Sequence, residues 1–343
     1  MIWTTEVDPM YAGAPPSDTQ FDSTARAPST TPPTVVVLGG GSDAERPISL
    51  LSAAAVAEGL RASRRWNVVA HTLEANDPAE VRAAIAPHAP AVVFPVLHGP
   101  WGEGGSLQRV LENAGVPYVG SRPFASDLAM DKQRTKDAAA AAGVAVIDGR
   151  VVHAPDLARP TVAEELVAAL GEHVVLKPVD DGSSVDLFVT RGPEELRAAI
   201  ESLRDRRRRM LVERFTPGRE LTVGIVDGDA LPVVEVRPAE GTYDFAAKYE
   251  RTDTVYVIEP ELPDGLAEQL ASVALTTARV VGVRDLARVD FLLAPDGPRM
   301  LELNTMPGFT ASSLLPRAAD AAGMPMPVLC DRLAQAAHDR IAV

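Results

Sequence analysis

The sequence predicts an α/β fold that passes into α+β in its C-terminal part, and three observations carry that reading. Strand-like apolar runs alternate with Ala-rich helical stretches through about residue 122, the pattern of a parallel sheet with crossover helices. One of those runs, residues 91–97, is almost continuously apolar, as a strand buried on both faces would be. Further on, Asp227-Gly228-Asp229 and Pro295-Asp296-Gly297 separate apolar runs, which reads as antiparallel hairpins.

Residues 1–33 are rich in Pro, Ser, Thr and Asp and lack periodicity, so a disordered extension is expected there. A strand is expected at residues 34–38, then the turn Gly39-Gly40-Gly41 and a helix over about 48–62. Strands at 68–73 and 91–97 complete a first α/β region, 34–125. A helix over 126–142 opens the second region, 126–215. Strands follow at 144–147, 173–178 and 187–190, then a helix at 193–204 and a strand at 210–215. The third region, 216–343, alternates strands at 221–226 and 231–236, a helix near 262–281, and strands at 286–293 and 300–303.

The chain has 343 residues, 46% of them apolar, enough for about two to three domains with buried cores. The longest membrane-like stretch, 271–283, is broken by Thr276, Thr277 and Arg279, and the N-terminal segment lacks the basic and apolar blocks of a secretory signal. A single cysteine, Cys330, excludes an internal disulfide framework, and its apolar surroundings make it a buried hydrophobe rather than a catalytic thiol. A net charge of −14 argues against nucleic acid or an anionic membrane as partner. The run RDRRRR (204–209) is read as a solvated helix end rather than a nucleic-acid patch. A cytoplasmic enzyme is the expectation. The basic residues are almost all arginine, with only four lysines, Lys132, Lys136, Lys177 and Lys248.

Four constellations carry chemistry. Gly39-Gly40-Gly41 fits a dinucleotide fingerprint, but the acidic residue expected about 20 positions on is missing. A tight turn, or a loop presenting Glu45 at a helix N-terminus where the dipole favours a carboxylate, are the other readings. The loop HGPWGEGG (98–105) follows a buried strand, where parallel sheets bind ligands; His98 is either structural or functional there. In KPVDDGSSV (177–185), Lys177 with the donors of Ser183 and Ser184 suits a triphosphate, although hairpin chemistry looks similar. Finally, alternation puts Arg288 and Asp290 on one strand face and Glu302 and Asn304 on one face of the next. That all-oxygen set suits Mg²⁺ better than a salt-bridged sheet face, since burying four polar residues without purpose is costly.

In this order, these features resemble the ATP-grasp superfamily and specifically the D-alanine–D-alanine ligase family, over about residues 34–330. The similar stretches are VVVLGGGSDAERPISLLSA (35–53), VLHGPWGEGGSLQRVLENAGVPYVGS (96–121), MDKQRTK (130–136), KPVDDGSSV (177–185), LVERFTPGRELTVGI (211–225), GTYDFAAKY (241–249), RVDFLL (288–293) and LELNTMPGFTASSLLP (301–316). The resemblance implies an ATP-grasp fold behind an N-terminal Rossmann-like parallel-sheet domain.

It further implies ATP and two Mg²⁺ ions, with Lys132 and Lys177 on the phosphates and Lys248 closing on the γ-phosphate. Glu213 and the backbone of Arg214, Phe215 and Thr216 would read adenine, and Glu220 the ribose. Asp290, Glu302 and Asn304 would hold the metal ions. Glu45, with His98 beside it, would take the first substrate's ammonium. Arg288 and the Gly308 N–H would stabilise the oxyanion, and Ser313 with Leu314 would hold the second substrate's carboxylate. Ser183 and Tyr249 would link to Glu45. The implied reaction joins two D-alanines through an acyl phosphate for peptidoglycan synthesis, in a cytoplasmic homodimer. Departures from the family pattern are Pro47, Gly104 for an Asp, and Asp186 for a Gly. They leave open a ligase of specialised metabolism acting on other amino acids.

Overall fold

The computed structural model describes residues 31–182, 185–238 and 254–340. Nearly all of the expected extension, together with Ser183, Ser184, Lys248 and Tyr249, lies outside the described residues. Every element below belongs to one unit, Pro33–Val343.

The first region alternates β1 (Thr34–Gly40), α1 (Arg46–Ser63), β2 (Asn67–Leu73), α2 (Pro78–Ile85) and β3 (Val92–Pro95). The three strands form a parallel sheet in the order β2-β1-β3. Val35 through Leu38 are fully buried, so β1 is covered on both faces. Two short helices, α3 (Gly99–Glu103) and α4 (Ser106–Asn113), follow the sheet.

The helix expected over 126–142 is two helices, α5 (Pro123–Met130) and α6 (Lys132–Ala141). Asp131 breaks them: its backbone is extended (φ −86°, ψ 102°) and its carboxylate accepts from the Arg134 N–H at 2.9 Å. Such a cap is worth about 1 kcal/mol. Arg209 holds the other oxygen at 2.7 Å. The break has a consequence for the site, because Lys132 becomes the first residue of α6 and its N–H donates to the Val179 carbonyl.

Next come β4 (Gly149–His153), α7 (Ala154–Leu157), α8 (Val162–Leu170), β5 (His173–Pro178), β6 (Phe188–Arg191), α9 (Gly192–Leu203) and β7 (Arg209–Arg214). Their strands make an antiparallel sheet, β4-β7-β5-β6, packed on α8 and α9. The strand expected at 144–147 is instead a single bridge, Val146 to Met300, and the pairing strand starts at Gly149.

The last sheet is built from β8 (Arg219–Val226), β9 (Asp229–Ala230), β10 (Val234–Arg237), β11 (Val255–Ile258), β12 (Leu286–Ala294) and β13 (Gly297–Asn304). Its order is β11-β10-β8-β12-β13, antiparallel throughout, with β9 pairing β8. Both expected hairpins are present, with Asp227 (φ 50°), Gly228 (φ 83°) and Gly297 (φ 120°) supplying the left-handed turns. Helix α10 (Leu266–Val281) covers one face of this sheet. Helices α11 (Leu314–Ala321) and α12 (Met326–Asp339) return to the first region, where Leu329, Cys330 and Leu333 join the core with α1 and β1. Among the described residues no helix is long and apolar enough to cross a membrane.

Candidate active site

The glycine turn after β1 shapes the first element of the site. Gly40 and Gly41 hold φ of +97° and +86°, and a Cβ on Gly40 would overlap the Leu73 carbonyl. Ser49 ties the turn down, accepting from the Gly40 N–H at 2.9 Å and donating to the Val96 carbonyl at 2.6 Å. Arg46 donates to the carbonyls of Gly41 and Leu73, both at 2.7 Å. Glu45 is thereby set at the N-cap of α1, where a carboxylate is favoured. The departure Pro47 falls in the first turn of that helix, where its missing N–H costs nothing.

The loop after β3 adds His98 and Glu103. His98 is 7% exposed; its Nδ1 meets the Met306 carbonyl at 3.1 Å, and its buried Nε2 has no hydrogen-bond partner among the described residues. Burial pushes its pKa down. Glu103 accepts from the Gly99 N–H at 3.1 Å, and burial, then the Glu45 charge, pushes its pKa up to about 8. A Cβ on Gly104 would overlap the Pro100 carbonyl, so the tight end of α3 explains that departure. Sequence reasoning passed over Glu103, although it stood beside His98 in the glycine-rich loop.

A cavity of about 530 Å³ lies between the β4-β7-β5-β6 sheet and the β8–β13 sheet. Its lining includes Lys132, Lys177, Arg214, Phe215, Thr216 and Glu220, which gathers the described part of the expected nucleotide set. Glu213 also borders it, but its carboxylate is only 3% exposed and is committed to two lysines, Lys136 and, at 2.7 Å, Lys177. Lys136, given no role by the sequence reading, is therefore buried against this carboxylate. Desolvation, then the charge of Lys177, lowers its pKa well below the usual lysine value. Across the cavity the Glu235 pKa is pushed down to about 2, chiefly by its hydrogen bonds from Arg219, at 2.8 Å.

The β12–β13 register pairs Arg288 with Asn304 and Asp290 with Glu302, which brings the four residues onto one face as expected. Arg288 grips both Asp290 oxygens, each at 2.8 Å. Thr222 donates to Oδ1 at 2.6 Å and the Asn304 amide to Oδ2 at 3.1 Å. Lys132 Nζ stands 3.7 Å from Glu302. Among the described residues no group of three His, Cys, Asp or Glu side chains is arranged to hold a metal ion. The expected set has two acids and an amide, and its all-oxygen chemistry fits Mg²⁺.

A second cavity, about 280 Å³, is lined by Glu45, His98, Glu103, Arg288, Gly308, Ser313 and Leu314, among others. The Ser313 hydroxyl accepts from the Thr310 N–H at 3.0 Å, and Ser313 is the N-cap of α11. Ser52 accepts from the Phe309 N–H, and Phe309 packs edge-on against Phe94, fixing the loop to β3. Gly182 and Glu302 border both cavities. The two pockets therefore meet at one wall.

A cavity between two antiparallel sheets, lined by Lys132 and Lys177 and meeting a small polar pocket at Gly182 and Glu302, is the arrangement of an ATP-grasp ligase. Comparison with known proteins narrows the class. Residues 70–121 match the family described as D-ala D-ala ligase N-terminus, and residues 139–335 that described as D-ala D-ala ligase C-terminus. A D-alanine–D-alanine ligase of Gluconobacter oxydans is 40% identical over 310 residues, covering 89% of this chain and 99% of that protein. Among solved structures, the Bacillus anthracis D-alanine–D-alanine ligase complexed with ATP has a TM-score of 0.77 at 26% identity, covering 89% of this chain and 97% of its own. The Coxiella burnetii D-alanine–D-alanine ligase has a TM-score of 0.77 at 25% identity, covering 90% and 94%. The chain belongs to the D-alanine–D-alanine ligase family, a family of ATP-dependent ligases.

Proposed function

We propose that this chain joins two D-alanines into D-alanyl-D-alanine for peptidoglycan, using ATP bound in the larger cavity. The observation that carries the reading is the shared wall at Gly182 and Glu302, which lets a γ-phosphate at the end of one cavity meet a carboxylate in the other. Lys132 and Lys177 hold the phosphates, and the 214–216 backbone with Glu213 and Glu220 holds the nucleoside. Lys177 can turn a donor to phosphate while keeping Glu213, since an ammonium carries three.

Glu45 takes the ammonium of the first D-alanine and the open Nε2 of His98 lies beside it. The carboxylate attacks the γ-phosphorus of ATP, breaking the bond to ADP and giving an acyl phosphate. The second D-alanine is held by its carboxylate at Ser313 and Leu314, and its amine, as the free base, attacks the acyl carbon. Arg288 and the Gly308 N–H receive the oxyanion charge, and collapse expels phosphate. Such catalysis is positioning and charge stabilisation, with little covalent work for the protein. Asp290, Glu302 and Asn304 would hold Mg²⁺, which supplies charge neutralisation for the phosphates. On the family resemblance, Ser183, Ser184, Lys248 and Tyr249 complete the assignment.

The same resemblance supports a homodimer in the cytoplasm and a division at 34–125, 126–215 and 216–343. The departures do not favour another substrate, since Pro47 and Gly104 each fit their local backbone. The test is ATP-dependent phosphate release with D-alanine alone, with the product identified by mass. Formation of the dipeptide supports the reading; release only with other amino acids overturns it.

A further inference from the structure

We propose that Arg207 is a positioning residue that pins both sides of the turn between the two cavities, a role that rests on the function proposed above. Its guanidinium lies 2.7 Å from Asp181 Oδ2 and 2.7 Å from Asp186 Oδ2, and its Nε donates to Asp186 at 2.8 Å. Asp181 and Asp186 flank the turn that follows β5, so one planar group spans its entry and exit. A guanidinium can do this because its donors are fixed in a fork; an ammonium is a point charge. Arg207 is itself held, its N–H donating to the Leu203 carbonyl at 2.8 Å at the end of α9.

The turn so pinned belongs to both pockets. The Asp181 carbonyl accepts from Lys132, and Asp181 and Gly182 line the larger cavity. Gly182 also lines the smaller one, and a Cβ built on it would stand 3.0 Å from the Glu45 carboxylate. Position 186 supplies independent support. Asp186 holds φ +57°, the left-handed conformation in which glycine is at ease, and the family resemblance expects glycine there. Its side chain turns to Arg206 and Arg207, and is only 13% exposed. Within the arginine run 204–209, Arg207 is thus the anchor for a phosphate-side turn, and it offsets two carboxylates that would otherwise face the triphosphate.

Arg207→Ala, Arg207→Lys, Arg206→Ala, Asp186→Gly and the double variant R207A/D186G test this. KM for MgATP and for D-alanine would be measured by phosphate release, and the ATP dissociation constant by calorimetry without D-alanine. R207A is expected to raise both KM values and the ATP dissociation constant about fivefold or more, with kcat and the melting temperature changed little. R207K recovers part of the loss, and R206A, whose contacts to Asp186 are 3.3–3.5 Å and exposed, changes little. D186G raises KM for ATP about threefold although it relieves the backbone, and R207A/D186G is no worse than R207A alone. Unchanged KM values in folded R207A, or fully additive effects in the double variant, overturn the proposal. Should R207A fail to fold, D186G decides: an unchanged KM for ATP overturns it. A wild-type chain that binds ATP but makes no dipeptide would sink the proposed function, while the ATP-affinity comparison would still judge Arg207.

Discussion

Replacing Arg288 with alanine separates its role in the reaction from its role in the fold. Its guanidinium makes two hydrogen bonds to Asp290, both at 2.8 Å, in a pair whose side chains are 16% and 8% exposed. Breaking a buried pair outright costs about 3–5 kcal/mol, because one charge is stranded. Here it is not stranded. Thr222 still donates to Oδ1 at 2.6 Å and Asn304 to Oδ2 at 3.1 Å, so each oxygen of Asp290 keeps one donor. The stability loss should therefore fall to about 1–3 kcal/mol, the range for losing hydrogen bonds to a charged group that remains solvated by others. The rate should fall much further. Losing one donor to a developing oxyanion costs about 10²–10³ in kcat, or about 2.7–4 kcal/mol of barrier. Phosphate release at saturating ATP and D-alanine measures the rate, and urea unfolding measures stability. A folded Arg288→Ala enzyme with near-normal kcat would refute the assignment. So would a loss confined to KM for ATP.

Other outcomes follow from residues away from that arginine. Arg340 clamps the buried Asp285 at 2.5 and 3.0 Å and donates to the Tyr118 carbonyl at 2.7 Å, and Asp285 keeps the Gly120 N–H, so Arg340→Ala should lower unfolding free energy by about 1.5–3 kcal/mol while leaving both KM values alone. A shifted KM for either substrate would contradict that separation. Glu103 is held near pKa 8 in the folded chain against an ordinary carboxylate value when unfolded, so the native state binds the extra proton between about pH 4.5 and 8. Its contribution to stability is thus full at the acid end and lost as pH rises through 8. Glu103→Gln should flatten that decline in urea midpoint, and an identical pH slope in both proteins would count against it. Burial pushes the Cys330 thiol up to about 12, so it should resist a thiol reagent at pH 8 until the chain is unfolded. Rapid labelling of the native protein would show the packing of α12 to be wrong.

The sequence made the strands around the site legible and much of its wiring illegible, for a physical reason. Periodicity is local, so the run at 34–38, the hairpins and the shared face of Arg288, Asp290, Glu302 and Asn304 could be read from neighbours alone. The same locality explains the errors. Residues 126–142 look like one helix because nothing nearby announces that Asp131 will cap α6 and pair with Arg209, seventy-eight positions away. Residues 144–147 are apolar enough for a strand, yet only Val146 finds a partner. That Lys136 and Lys177 close on Glu213 likewise depends on how α6 docks on the sheet, which no neighbour of Glu213 announces. The arginine run is solvated at Arg204, Arg206 and Arg208 as read, whereas the contacts of Arg207 with Asp181 and Asp186 lie beyond its sequence neighbours. Lysine scarcity was the better guide, since the three described lysines all gather at the nucleotide wall or just behind it.

The central claim is that a carboxylate in the smaller cavity attacks a phosphate in the larger one across the wall at Gly182 and Glu302. D-alanine carrying ¹⁸O in its carboxylate tests this directly, with mass analysis of the phosphate released during dipeptide synthesis. An acyl phosphate must pass one carboxylate oxygen to phosphate when the amine displaces it, so the account predicts ¹⁸O-labelled phosphate in step with dipeptide. Unlabelled phosphate accompanying the same dipeptide would contradict it.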